Sequence, residues 1–142
     1  MRINKVLPSI VLIDDDEVDI MNFERTMRHL AVVNKFHIFR NGEEARRAIL
    51  GDGGSIKKPF ALIVDLNMPK MGGHELIEAL STQKELIGIP VFVFTTSDAD
   101  KDRQEAWELK VNGYFLKELS QNAYMQTLKV IVDFINSSEI PQ

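Results

Sequence analysis

The chain has no cysteine, which rules out a disulfide framework and any thiolate metal site and gives no sign of an oxidising compartment. It also lacks a block of Lys and Arg residues. With 17 basic residues against 21 acidic ones, the formal charge is -4. No stripe exists that could follow a phosphate backbone, so direct binding to nucleic acid is not expected. Long apolar runs are missing too, since none approaches the ~20 residues that a membrane-spanning helix needs. The stretch from Met1 to Ser9 carries Arg2 and Lys5, but Pro8 interrupts it and an acidic cluster follows, unlike a secretory signal. Internal repeats and low-complexity segments are absent. These absences leave a cytoplasmic globular protein as the expectation, with neither nucleic acid nor membrane as a partner.

What is present is apolar residues in short, regularly spaced runs. A chain of 142 residues with 44% hydrophobic content is long enough to bury one core. A single domain over residues 1–142 is expected, with a core of about residues 8–136 and a short flexible tail after it. The runs Ile10 to Ile13, Phe36 to Phe39, Phe60 to Val64, Val91 to Phe94 and Tyr114 to Leu116 are rich in Val, Ile and Phe. They are nearly continuous rather than alternating, the pattern of parallel strands buried on both faces.

Helical spacing fills the gaps between them. Ile20, Phe23, Met27 and Leu30 recur at intervals of three and four, as do Tyr124, Leu128, Ile131 and Ile135. Asn41 is placed to cap the second helix, with Glu44 in capping-box position, and Gly72-Gly73 precedes the third. Asp98 and Ser120 are the expected caps of the fourth and fifth. Gly51 to Lys58 and Ser137 to Gln142 are the loose stretches. Five strand-helix units make an α/β sandwich with helices on both faces.

In an open parallel sheet, ligands bind outside the carboxyl ends of the strands. Here those ends are polar: Asp14-Asp15-Asp16 after the first run, Asp65 after the third, Thr95-Thr96-Ser97 after the fourth and Lys117 after the fifth. Carboxylates gathered in one place repel each other, which raises a pKa unless a cation sits among them. Magnesium suits such a site, because it takes one or two carboxylates and keeps its other positions for water and phosphate oxygens. A carboxylate beside that ion can act as a nucleophile and form an acyl phosphate. An ammonium and a hydroxyl facing the incoming oxygens, here Lys117 and Thr95, complete what phosphoryl transfer requires.

The stretches IVLIDDD, LIVDLNMPKMGG, PVFVFTTSD and NGYFLK, in that order and spacing, resemble the receiver domain of response regulators over essentially the whole chain. The resemblance implies a flavodoxin-like (βα)5 doubly wound parallel sheet of strand order 2-1-3-4-5. It implies that Asp14 and Asp15 bind Mg2+, that Asp65 is the phospho-acceptor and a further metal ligand, and that the backbone carbonyl of Asn67 also ligates. By the same likeness Thr95 is the switch hydroxyl, Lys117 pairs with the phosphoryl group, and Tyr114 is the aromatic that changes rotamer with phosphorylation. The implied function is a stand-alone response regulator of a two-component phosphorelay. It would catalyse its own phosphorylation and dephosphorylation without being a conventional enzyme, and its partner would be a sensor histidine kinase or a histidine phosphotransfer protein. The TTSDAD and VNGYFLK stretches resemble receivers that partner bacterial phytochrome kinases.

Two positions depart from the family pattern. Glu118 follows Lys117 where receivers usually carry proline, so a cis X-Pro bond is unavailable in that loop. Thr96 is bulkier than the usual Ala or Ser, which would narrow access for water and slow loss of a phosphoryl group.

Taken singly, each polar strand end is ordinary, and Asp16 and Glu17 read as a cap that complements the helix dipole. His29, His37 and His74 show no metal-ligand spacing and read as surface or packing residues. Trp107 on the fourth helix, Tyr114 on the fifth strand, and Met125 and Val132 among the extra apolar residues of the last helix, mark a candidate interaction surface. A homodimer through the face of the fourth helix, fifth strand and fifth helix would use it. Two rivals remain. A haloacid-dehalogenase-type phosphatase with Asp14 as nucleophile would leave Asp65 without a role, and a pseudo-receiver binding module would leave every chemical position filled for no purpose.

Overall fold

The computed structural model describes residues 6–51 and 55–142. Of the loose stretch from Gly51 to Lys58, residues 52–54 therefore lie outside the described residues, as do Arg2 and Lys5. Five apolar runs form β1 (Ser9–Ile13), β2 (Phe36–Phe39), β3 (Phe60–Val64), β4 (Val91–Thr95) and β5 (Gly113–Leu116). Between and after them run α1 (Glu17–His29), α2 (Gly42–Leu50), α3 (Gly73–Ser81), α4 (Asp100–Glu108) and α5 (Gln121–Ser137), with one 3-10 turn at Lys84–Leu86. All strand pairs are parallel, in the order β2-β1-β3-β4-β5, the order of the flavodoxin-like doubly wound fold.

Alternation along each strand divides the core in two. Ile10, Leu12, Ala61, Ile63, Phe92 and Phe94 point to the side covered by α1 and α5, against Phe23, Met27, Leu128 and Ile131. Val11, Ile13, Leu62, Val64 and Val93 point to the other side, against Ala45 of α2, Leu76 of α3 and Ala106 of α4. Period-two side chains on strands that lie between two helical layers explain why the runs are continuous in sequence.

Most helix starts follow their local chemistry. The Asp16 carboxylate accepts from the backbone N–H groups of Val18 and Asp19, Asn41 accepts from Glu44 at 2.9 Å, and Ser120 accepts from Ala123 at 3.4 Å. Asp98 does not cap α4. The residue at the cap is Ala99, which offers no side-chain acceptor, while the Asp98 carboxylate is taken by the Arg103 guanidinium at 2.8 Å. Beyond α5 the tail is anchored through Ile140, which is buried in the α1/α5 core.

Val132 requires a correction as well. Expected on an interaction surface, it is buried in the core with Leu128, Ile131 and Ile135, because it lies four residues after Leu128 and so shares its face of the helix. Met125 is half-buried, whereas Val130 and Phe134 are exposed on α5 and Trp107 is 54% exposed on α4.

Candidate functional site

The parallel register carries the polar strand ends to one edge. Asp14 follows β1, Asp65 follows β3, Thr95 ends β4 and Lys117 follows β5. Backbone hydrogen bonds lock neighbours together there. The Asp65 N–H donates to the Ile13 carbonyl at 2.9 Å, and the Lys117 N–H donates to the Thr95 carbonyl at 2.8 Å. Asp14 and Thr95 are almost wholly buried, Asp65 is 8% exposed, and Asp15 points out to solvent. Asn67 and Thr96 sit exposed in the loops after β3 and β4, and Glu118 is exposed after Lys117.

Gly73, the first residue of α3, is required for this packing. A Cβ there would stand 2.5 Å from the Asp65 carbonyl oxygen and 2.9 Å from the Leu66 Cα. Gly42 opens α2 under a similar limit, 2.5 Å from the Met71 carbonyl oxygen. The loop from Leu66 to Gly72 is thus held against the strand ends, with Lys70 in the left-handed region at φ 64°.

Carboxylate oxygens of Asp14, Asp15 and Asp65 all lie within 4.8 Å of one another. The Lys117 ammonium, its side chain only 6% exposed, reaches Asp14 at 2.6 Å, Asp19 at 2.8 Å and Asp65 at 3.7 Å. Burial pushes the Asp14 carboxyl up to about 6, against the downward pull of Lys117 and the Asp16 N–H. Burial also raises Asp65, with the Lys117 ammonium and the Thr95 hydroxyl pulling it back. Desolvation works to lower Lys117, but Asp65, Asp14 and Asp19 outweigh it and hold the ammonium above its ordinary value. One cation among four carboxylates leaves net negative charge in a shielded place. The oxygen-only donors and this excess of negative charge fit a hard divalent cation such as Mg2+.

The roles of three residues here do not follow from their place in the sequence. Asp19 is four residues beyond Asp15, in the first turn of α1, and only the fold brings it to Lys117. Ser97 acts through its backbone: its carbonyl accepts the Tyr114 hydroxyl at 2.9 Å and its N–H donates to the Thr95 hydroxyl at 3.3 Å. The third is Arg103, whose guanidinium lies 5.6 Å from the centre of the Tyr114 ring. Tyr114 itself is half-buried.

A doubly wound parallel sheet of this order thus gathers an acidic cluster, a hydroxyl and an ammonium at its carboxyl edge. The chain belongs to the response regulator receiver domain family of two-component systems, whose model matches residues 10–129. It is similar to the probable methanogenesis regulatory protein FilR2 of Methanothrix harundinacea, at 31% identity over 88% of this chain and 81% of that protein. It is also similar to the response regulator Rcp1 of Synechocystis, at 27% identity over 88% of this chain and 86% of Rcp1. The Mn2+-bound structure of Rcp1 superposes with a TM-score of 0.84 at 25% identity, covering 95% of this chain and 99% of that one. The phosphorylated cyanobacterial phytochrome response regulator RcpA superposes with a TM-score of 0.86 at 27% identity, covering 96% and 99%. Among the described residues no helix is long and apolar enough to cross a membrane.

Proposed function

We propose that this receiver accepts a phosphoryl group on Asp65 from a phosphohistidine and passes the signal on through a changed surface. The observation that carries the proposal is the placement of the Asp65 carboxylate, 8% exposed, among the Asp14 and Asp15 oxygens with the Lys117 ammonium 3.7 Å away. An Asp65 oxygen attacks phosphorus, the new O–P bond forms as the P–N bond breaks, and the donor imidazole keeps the electron pair. Asp14, Asp15, Asp65 and the Asn67 carbonyl would hold Mg2+, which when bound neutralises charge on the transferring oxygens. That RcpA is described as phosphorylated and Rcp1 as Mn2+-bound supports carrying both features to this chain.

Lys117 pairs with the phosphoryl oxygens, Thr95 donates its hydroxyl to them, and Tyr114 follows as the Ser97 loop rearranges. The partner is a sensor histidine kinase or a histidine phosphotransfer protein, of the phytochrome-linked type by likeness to RcpA. The exposed Trp107, Val130 and Phe134 supply apolar area for a homodimer through α4, β5 and α5.

Asp14 is poorly suited to be the nucleophile of a phosphatase. One of its oxygens accepts from Lys117 at 2.6 Å and the other from the Asp16 N–H at 3.0 Å. The test is intact mass after incubation with a small acyl phosphate, with and without Mg2+. One added phosphoryl group, dependent on Mg2+ and absent in Asp65→Asn, is expected. Donor hydrolysis that survives Asp65→Asn and vanishes in Asp14→Asn would favour the phosphatase instead.

A further inference from the structure

A second group of metal-ligating side chains, sharing no residue with the acidic cluster, lies between α3 and α4. His74 is the second residue of α3, and Asp102 and Glu105 stand three apart on α4, one turn of the same helix face. The His74 Nε2 is 3.6 Å from Asp102 Oδ1 and 3.5 Å from Glu105 Oε2. The three candidate ligand atoms lie within 4.8 Å of one another. Both ring nitrogens of His74 are shielded from solvent, and neither makes a hydrogen bond. Buried polar atoms ordinarily find partners, so this imidazole is short of one.

The separations are those of ligands around one ion. They are too long for good hydrogen bonds. Two donor atoms each about 2.1 Å from one ion, at the tetrahedral angle, stand about 3.4 Å apart, close to the 3.5 and 3.6 Å found here. Each carboxylate is also oriented from its far side. The other oxygen of Asp102 accepts the Ser97 hydroxyl, and the other oxygen of Glu105 faces the Lys101 ammonium at 3.8 Å. Carboxylate ligands held by such outer partners are the usual arrangement at metal sites.

We propose that His74, Asp102 and Glu105 bind a divalent transition-metal ion of the zinc class, with water in the fourth position, stapling α3 to α4. Imidazole with two carboxylates suits Zn2+, whereas Mg2+ takes oxygen ligands and belongs at the acidic edge. Through Asp102 the ion would also fix Ser97, whose backbone holds the Thr95 hydroxyl and the Tyr114 hydroxyl.

The experiment titrates Zn2+ against a competing chelator with Mg2+ saturating, and follows the fluorescence of Trp107, the single tryptophan, two residues from Glu105. It compares wild type, His74→Gln, Glu105→Gln and Asp15→Asn, each first checked for wild-type circular dichroism. One equivalent of Zn2+ is expected in wild type and Asp15→Asn. Affinity should fall by more than about tenfold in His74→Gln and Glu105→Gln. Zn2+ binding that is lost in Asp15→Asn but kept in His74→Gln would assign the ion to the acidic edge and overturn the proposal, as would no retention in wild type. Failure of phosphorylation at Asp65 would leave this result unaffected.

Discussion

The Lys117 ammonium stands 2.8 Å from Asp19 and 3.7 Å from Asp65. In this state the lysine is therefore drawn toward the start of α1, with Asp14 as its nearest partner at 2.6 Å, and away from the residue whose phosphoryl group it would meet. Asp19 is a competitor for that cation.

Asp19→Asn should thus raise labelling of Asp65 by a small acyl phosphate. The Asp19 side chain is 31% exposed, so its hold on Lys117 is worth about 0.5–1 kcal/mol after solvent screening, or about two- to fivefold in steady-state phosphorylation. Phosphorylated fraction against donor concentration measures it. An unchanged or lower fraction would show that Asp19 does not restrain the lysine.

Gly73→Ala should damage both fold and site. Its Cβ would sit 2.5 Å from the Asp65 carbonyl oxygen, and backbone on both sides has to shift. Overpacking of this kind costs about 1–3 kcal/mol, and because the displaced atom belongs to Asp65, phosphorylation should slow as well. Urea denaturation and a labelling time course read the two effects. Gly72→Ala is the control, since its nearest contact of this kind is an ordinary 3.5 Å.

The same neighbourhood shows what a sequence can and cannot reveal. The strands are legible because the central ones are buried on both faces, which makes their runs nearly continuously apolar, and the acids and the lysine stand out because they end those runs. The strand order agrees with the one that the family resemblance implied. Asp19 was not legible, since its partner is 98 residues away and an acid in the first turn of a helix is already explained by the helix dipole. The surroundings of His74 are illegible for a related reason: its neighbours Asp102 and Glu105 come from another helix, and no linear spacing records that. Val132 lies four residues from Leu128, so its burial follows from helical spacing. The buried stripe of α5 is wider than a single row, and Val132 belongs to it rather than to the free surface.

Acidity should stabilise the metal-free protein over a defined window. The Asp14 carboxyl lies at about 6 in the folded chain against an ordinary 3.8, so the native state binds its proton more tightly than the unfolded chain. Stability contributed by this group is then greatest below about pH 4, falls as pH rises through the interval, and is lowest above about pH 6, a change of about 3 kcal/mol. Denaturation in chelator-treated buffer across that range should show this slope, shallower in Asp14→Asn. Adding Mg2+ at neutral pH should restore stability, by about 2.7 kcal/mol at one hundred times the dissociation constant. A stability that rises through this window in wild type would contradict the electrostatics described.

The most direct test of the whole account is to find which residue carries the phosphoryl group. Protein treated with Mg2+ and a small acyl phosphate is reduced with borohydride, which converts an aspartyl phosphate to homoserine, and its peptides are sequenced by mass. Homoserine at position 65 and nowhere else, absent without Mg2+, is the predicted result. Homoserine at position 14, or none at position 65 under conditions where the intact protein gains a phosphoryl group, would contradict it.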